Sequence, residues 1–385
     1  MLAILPIADV AATLTLQDRT EVRGRTPVDT RPGASVALDV ETAPEARLTL
    51  RSHRLQAAIT LAPRLTFWDL VETGAPPVLL GAGSIRGEWR APRLRVWLEE
   101  SLSYGQMSLA SSPATPAADG SPPRVDALPT TRVITLASSR STLGSRSELG
   151  RFALGALVGY QVAGGADASA RTVLPRQAGP FAEASGEYTI DRRNRADTVL
   201  SGSEASFSSG PEALVVELDQ AWRHRLRRTT ELRLALGVSE ARVRTGALSP
   251  HTTETHPVAE AGLTDRSRTG DGTLDLRCLL RLGPTVNQVV GLVDERVSGT
   301  LAASATTGRL GAHVFASAGQ SVPTSGVDAV QIASGEVGGS WDVSTRIALD
   351  TGLRAVGQRQ VFTRDTFLQW TVFGGVTLRM PPEHL

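Results

Sequence analysis

Polar and apolar residues alternate along most of this chain with a period of two. In the segment TLTLQDRTEVRGR (13–25) the odd-numbered residues are all polar, and the even-numbered residues are mostly apolar. Side chains of a β-strand point alternately to its two faces. The segment is therefore predicted to be a strand with one wet face and one apolar face. Asp18 breaks the apolar face, which places it near a membrane interface or at a β-bulge that resets the register.

The same alternation recurs along the chain, in the segments 230–239, 273–282, 345–354 and 367–380. Short connections, typical of tight turns, fall at 51–54, 90–93, 191–194, 268–272, 306–309 and 342–345. Longer connections rich in Pro, Gly and Ser fall at 110–130 and near 71–82, 164–178, 246–256 and 322–328. A weak repeat of an R-x-x-R-L turn, at 51–55 and 90–94, supports an array of hairpins with two unlike ends.

The hairpin count predicts about 18 strands, with 16 as the alternative, many of them near the roughly 10 residues needed to cross a bilayer. The last strand, 366–380, would pair with the first and close the sheet. A soluble β-sandwich also alternates, but it buries its apolar faces between two sheets. Long strands, an aromatic content of only 4% and the unlike ends of the array favour a closed transmembrane barrel.

Three stretches carry a resemblance to a known class of protein. The charged N-terminal strand, the motif RSHRL…APRLTFWDL (51–70) and the C-terminal strand FLQWTVFGGVTLRM (367–380) resemble Gram-negative outer-membrane β-barrels of a large uncharacterised, porin-like or export type. The resemblance covers residues 12–380. It implies one up-and-down antiparallel barrel with short periplasmic turns and long extracellular loops. It also implies a location in the bacterial outer membrane, contact with outer-membrane lipid and insertion by the barrel assembly machinery.

The two ends of the chain are expected to lie outside the barrel. Residues 1–11 are either a signal-peptide remnant or a mature N-terminal segment. Residues 381–385 form a short tail. Such barrels often end on an aromatic assembly signal, whereas MPPEHL (380–385) follows the last strand of this chain. The signal is then either read further back, at Phe373 or Trp370, or degenerate.

Composition excludes some classes of function. The chain has 40 basic and 39 acidic residues and a net charge of +1, which argues against a nucleic-acid partner. All basic residues are arginine, which reflects either a GC-rich genome or a preference for planar, bidentate donors. The one cysteine, Cys278, excludes an intrachain disulfide.

The alternation assigns charges of both signs to a water-filled lumen. The predicted lumen-lining residues are Arg19, Glu21, Arg23, Arg95, Glu99, Glu217, Asp219, Arg223, Glu231, Arg233, Asp275, Arg277, Arg346, Asp350, Arg354 and Arg379. They form either a ladder of cross-strand ion pairs that stiffens a hydrated wall, or a series of arginine donors that handles a polar solute or glycan.

Tryptophans are predicted on both faces. Trp222, Trp341 and Trp370 are assigned to an aromatic girdle at the membrane interface. Trp97 has the parity of the lumen, where it could stack on a sugar ring or pack against a plug.

No set of residues marks an enzyme or a cofactor site. No Ser–His–acid combination stands out from chance, so the chain is not expected to be an enzyme. His251 and His256 flank Glu254 in a predicted outer loop, but incidental surface histidines are the simpler interpretation, and no metal or other cofactor is expected. His313 is predicted to face the lumen alone.

The expected function is a polar conduit through the outer membrane. It would be a porin-like or export channel for polar solutes or for a secreted polymer such as polysaccharide, working with a periplasmic export partner. The alternative is a structural or adhesive barrel with a plugged lumen and partner-binding outer loops. The loop 110–130 would constrict a pore if it folded inward, and would suit binding if it projected outward.

Overall fold

The computed structural model describes residues 11–26, 36–68, 70, 76–108, 133–246, 248–286, 293–322, 330–360 and 366–384. Within these ranges nearly every segment is a β-strand of one antiparallel sheet. The predicted loop 110–130 and residues 1–10 lie outside the described residues, so the expectations about them stay predictions.

The strands are long and follow one another with little other structure. Their bounds are β1 Ala11–Arg25, β2 Ala37–Arg51, β3 Leu55–Leu61, β4 Arg64–Phe67, β5 Val78–Ala91, β6 Leu94–Ser108, β7 Val133–Leu149, β8 Phe152–Gly165, β9 Gln177–Thr189, β10 Asn194–Phe207, β11 Glu212–Arg225, β12 Thr230–Arg244, β13 Thr252–Thr269, β14 Gly272–Val286, β15 Val293–Thr307, β16 Leu310–Ser321, β17 Val330–Asp342, β18 Ile347–Gln360, β19 Thr366–Arg379 and β20 Glu383–His384. One helix, α1 Ala168–Val173, interrupts the described sequence of strands.

The sheet closes on itself. β3 and β4 are two parts of one broken strand, because each pairs with both β2 and β5. With that pair counted once and the two-residue β20 left aside, the described residues form 18 spanning strands. β1 pairs with β2 on one side and with β19 on the other, with Arg19 opposite Thr377. The predictions of about 18 strands and of closure by the last strand are confirmed.

The two ends of the barrel differ, as the sequence predicts. At one end every connection has two to four residues, at 52–54, 92–93, 150–151, 190–193, 226–229, 270–271, 308–309 and 343–346. At the other end the connections run from four residues at 208–211 to 24 at 109–132. We call these the short-turn end and the long-loop end.

Local chemistry stabilises the short turns. Gly270 and Gly308 have φ angles of 60° and 55°, which a residue with a side chain rarely adopts. In the turn 190–193 the Asp191 carboxylate accepts hydrogen bonds from the backbone N–H groups of Arg193 and Asn194 at 2.6 and 2.9 Å. These donors hold the pKa of Asp191 below its usual value.

The outer face of the barrel is apolar and exposed. On β12 the side chains of Leu234, Leu236 and Val238 point outward, and Leu236 is 72% exposed. Ala235, which lies between two of them, and Ser239, which follows Val238, point inward and are buried. A soluble protein would cover such a face, whereas a membrane barrel presents it to lipid.

Asp18 keeps to the outer face without any bulge. The pairing of β1 with β2 and with β19 is continuous through Asp18, which lies between Pro44 and Leu378. The Thr42 hydroxyl donates to its carboxylate at 3.1 Å. The suggestion of a register-resetting bulge is therefore wrong for β1. The hydrogen bond from Thr42 partly compensates for the unfavourable placement of a carboxylate on the outer face.

A charge on the outer face should block assembly, while the same charge in the lumen should not. Replacing Leu236, at the middle of β12, by Arg would place a cation in lipid at a cost of about 2–4 kcal/mol. The matched control is Thr264→Arg, which lies opposite Glu231 on the lumen face. Refolding into lipid vesicles, followed by a heat-modifiability gel, should give much less folded barrel for Leu236→Arg than for the control. Equal yields would contradict the assignment of the two faces.

Candidate functional site: the lumen wall

Shared carboxylates tie together the strands on both sides of the closure. Arg19 on β1 donates to Glu21 and to Asp350 of β18, both at 2.8 Å. Arg23 also donates to Glu21, and reaches Glu41 of β2 at 3.1 Å. Each arginine thus has two carboxylate partners, and the network links β18, β1 and β2.

A second network lies on β5 and β6. The carboxylate of Glu88 is almost completely buried and accepts from Arg90 and from Arg95, the latter at 2.6 Å. Arg86 lies 3.7 Å from Glu88 and 3.9 Å from Glu99. Three cations therefore converge on Glu88.

Separate ion pairs and small clusters follow the wall from β7 to β14. Glu187 accepts from Arg146 at 2.9 Å and from Arg195 at 3.2 Å. Further along, Arg233 contacts both Glu260 and Asp219, the latter at 3.7 Å. The remaining pairs in this region are Arg223–Asp197 at 2.5 Å, Arg281–Glu217 at 2.9 Å, Arg266–Asp275 at 2.8 Å and Arg277–Asp275 at 3.3 Å.

His313 has charged neighbours, contrary to the prediction that it faces the lumen alone. Its Nε2 lies 3.0 Å from the carboxylate of Glu336. Arg354 donates to the same carboxylate at 2.6 Å. Local alternation does not reveal this neighbour, because Glu336 lies on β17 and its contact depends on the pairing of β16 with β17.

All the predicted lumen-lining residues except Arg346 lie on strands, with the parity of the lumen face. Glu231 lies opposite Arg225, and Arg379 forms an exposed pair with Asp342 at 3.0 Å. The prediction that Arg346 lines the lumen from a strand is wrong. Arg346 lies in the turn 343–346 and is exposed at the rim, because β18 begins one residue later.

The lumen wall changes character between the two ends. Near the long-loop end, Arg25 and Asp39 form a pair at 2.8 Å, and both are buried, with Asp39 0% exposed. Nearer the short-turn end, the side chains of Arg266 and Arg277 are 71% and 53% exposed. Water reaches the side chains that line a wide channel. The exposed arginines therefore indicate a wide lumen at the short-turn end, and the buried pair indicates that the lumen narrows toward the long-loop end.

Aromatic rings of the lumen pack on glycines of the neighbouring strand. A Cβ added to Gly144 would overlap the ring of Trp97, so the ring lies directly on that backbone, and Arg95 is 5.5 Å from its centroid. In the same way, the ring of Phe181 packs on Gly159 with Arg140 over it, and the ring of Phe373 packs on Gly352 with Arg354 over it. One face of Trp97 thus packs against the wall.

The three tryptophans assigned to the girdle lie on the outer face near strand ends. Trp222, Trp341 and Trp370 are 39%, 47% and 45% exposed. The indole Nε1 of Trp222 donates to Asn194 at 3.2 Å. Their role at the membrane interface stays a prediction.

His256 lies on β13 and is buried, not in an outer loop as predicted. Its ring nitrogens are 3.7 and 3.9 Å from the carboxylates of Glu254 and Glu295. The part of the chain that the structure describes holds no group of three or more His, Cys, Asp or Glu residues arranged to bind a metal ion. In the same ranges, no helix has the length and apolar character to cross a membrane.

The sequence of the chain matches a known family almost from end to end. The model of the EpsX exopolysaccharide export family matches residues 4–381. The chain belongs to this family. Together with the closed 18-stranded barrel and its exposed apolar face, this makes the EpsX-family protein a transmembrane barrel of the bacterial outer membrane.

Solved structures with a similar fold include several outer-membrane proteins. Pseudomonas aeruginosa OpdL shares 15% identity over 97% of this chain and 100% of its own, with a TM-score of 0.46. P. aeruginosa OccK2 (OpdF) in complex with glucuronate shares 14% over 97% and 99%, with a TM-score of 0.48. The FrpB iron transporter from Neisseria meningitidis shares 7% over 90% and 62%, with a TM-score of 0.50. At such identities these similarities carry no information about a substrate. No curated protein sequence matches the chain.

The buried pair at the narrow end should matter far more than the exposed pair at the rim. Asp39→Ala removes the carboxylate from a buried Arg25 and should lower the free energy of unfolding by about 3–5 kcal/mol. Asp342→Ala breaks the exposed pair with Arg379 and should cost at most about 1 kcal/mol. Urea titration of both variants in lipid vesicles measures the difference. Equal losses would show that the narrow end is hydrated.

The contact between Trp97 and Gly144 should leave no room for a methyl group. Gly144→Ala is expected to destabilise the barrel by about 1–3 kcal/mol, because the ring must move off the backbone. Gly87→Ala, on the outer face where an added Cβ meets no atom within 4 Å, is the control. The same urea titration applies, and a loss at Gly87 as large as that at Gly144 would argue against the packing described.

Proposed function

We propose that this protein is the outer-membrane conduit through which an exopolysaccharide leaves the cell. The observation that carries the proposal is a lumen wall covered with shared ion pairs, inside a barrel that belongs to an exopolysaccharide export family. Barrels of 16 to 18 strands have room for an aqueous channel. The same wall suits small polar solutes, but the family favours the polymer.

The chemistry of the wall suits a chain of sugars. A sugar hydroxyl is both a donor and an acceptor, and the wall offers arginine donors beside carboxylate acceptors, as at Arg266, Asp275 and Arg277. Because Arg266, Asp275 and Arg277 already have protein partners, their contacts with a passing glycan replace water at moderate strength. Many weak sites in succession let a polymer move without being trapped.

A periplasmic export partner would deliver the polymer at the short-turn end. In the barrels that this chain resembles, that end faces the periplasm. Its turns present exposed arginines, among them Arg54, Arg93, Arg193 and Arg228. An acidic surface on the partner would complement them. In this account the protein transports and does not catalyse a reaction.

The buried half of the lumen favours one other candidate. A barrel that is permanently plugged near Arg25 and Asp39 would serve as a structural or adhesive protein, with binding carried by its outer loops. This candidate requires no polymer in the lumen, so narrowing the wide half separates the two.

Bulky residues in the lumen should block export. In cells lacking the native gene, Thr264→Trp with Ala302→Trp places two indoles in the wide half. The surface polysaccharide should fall several-fold, with the folded protein at normal levels. The control, Ala261→Trp with Ala303→Trp, changes outward-facing positions of the same two strands, and export should be normal. Normal export by both pairs would refute the conduit and favour the adhesive barrel.

A further inference from the structure

A cavity of about 1090 Å³ opens into the lumen at the short-turn end, against β11 to β16. Six arginines line it: Arg223, Arg225, Arg228, Arg233, Arg266 and Arg277. Three acids line it with them: Glu231, Glu260 and Asp275. We call this cavity the arginine vestibule. Its size suits a ligand of several rings.

The pairing within the vestibule leaves positive charge unbalanced. Arg223 pairs with Asp197, and Arg233 pairs with Glu260 and Asp219. Arg266 and Arg277 share the single carboxylate of Asp275. Of the residues that the structure describes, no carboxylate lies in ion-pair contact with Arg225 or Arg228, and both arginines are exposed. The vestibule therefore holds guanidinium groups that can accept a further anionic partner.

A smaller cavity on β2 to β6 has the same character. Its volume is about 180 Å³, and its charged lining is Arg47, Arg86, Arg90 and Arg95 against Glu88 alone. It lies beside the turns 52–54 and 92–93, and thus also toward the short-turn end. Two cavities on different parts of the wall, in a chain whose net charge is only +1, show that cations are concentrated at this mouth.

Concentrated arginines have a definite ligand preference. A guanidinium binds a carboxylate through two parallel hydrogen bonds, and a cleft with an excess of one sign of charge raises the local concentration of the opposite ion. A neutral sugar does not need this surplus, because paired arginines and carboxylates already satisfy its hydroxyls.

From this arrangement we infer that the exported polymer is acidic, and that its carboxylate-bearing sugar units bind in the arginine vestibule as they enter. The inference rests on the proposed function and adds the chemical class of the polymer. Arg225 and Arg228 at the mouth make the first contact, and Arg277 with Arg266 takes the next anionic group farther along the wall.

Calorimetric titration of the purified full-length barrel in detergent tests the vestibule directly. Hexagalacturonate is the acidic probe, and maltohexaose is a neutral probe of equal length. The acidic probe should bind at least tenfold more tightly than the neutral one, and its affinity should fall as salt is raised. Equal affinities, or an acidic affinity that is independent of salt, would overturn the inference.

Matched variants locate the site. Arg228→Gln with Arg277→Gln should weaken hexagalacturonate binding tenfold or more. Arg242→Gln with Arg359→Gln removes the same charge from outward-facing positions at the long-loop end, and should leave the affinity unchanged. A heat-modifiability gel confirms that both proteins are folded. Equal affinities for the two double variants would mean that the probe binds elsewhere, which contradicts the inference.

The binding experiment and the export experiment test two different hypotheses, the acidic polymer and the conduit. If indoles at residues 264 and 302 stop export but hexagalacturonate does not bind, the conduit stands and the acidic polymer is wrong. If the acid binds at the vestibule but the indoles leave export normal, the anion site is real and the export role assigned to it is wrong.

Discussion

The pairing of β1 with β19 is the contact on which the rest of the structure depends. A sheet that crosses lipid cannot leave an edge, because each unpaired N–H or C=O group would cost several kcal/mol there. Closure removes both edges and divides the side chains into an outer and an inner set. Leu236 and its neighbours can then meet lipid, and the charges must share the interior.

The interior is stable because its charges are shared, not because they are few. Glu88, Glu187 and Asp275 each have two or more arginine neighbours, and Glu336 has Arg354 and His313. Such cross-links stiffen the wall and keep it hydrated. The wall changes from a wide, arginine-rich mouth at one end to the buried pair of Arg25 and Asp39 at the other. The same polar surface can therefore bind a ligand at the mouth and narrow the lumen beyond it.

Alternation predicts the strands and their faces well, because the pleat is a local property of the chain. The segment 13–25 is one unbroken strand, and Trp97 has the facing that its parity indicates. What alternation cannot provide is the register between strands. The contact of His313 with Glu336 and the shared position of Glu88 depend on that register, as does the burial of Asp39. Parity places Arg346 on a strand that begins one residue later, because alternation alone does not show where a turn ends.

A polar lumen requires that the apolar face of the strands meets lipid. The chain has a single cysteine, so a Cys278→Ser protein can carry one nitroxide label at each position from 232 to 239 in turn. Electron paramagnetic resonance in lipid vesicles then measures access to oxygen, which is concentrated in lipid, and to a water-soluble nickel complex. We predict oxygen maxima at 232, 234, 236 and 238, and nickel access at 233 and 237. Nickel access at the even positions, or shielding of those positions from both reagents, would contradict a membrane barrel with a polar lumen.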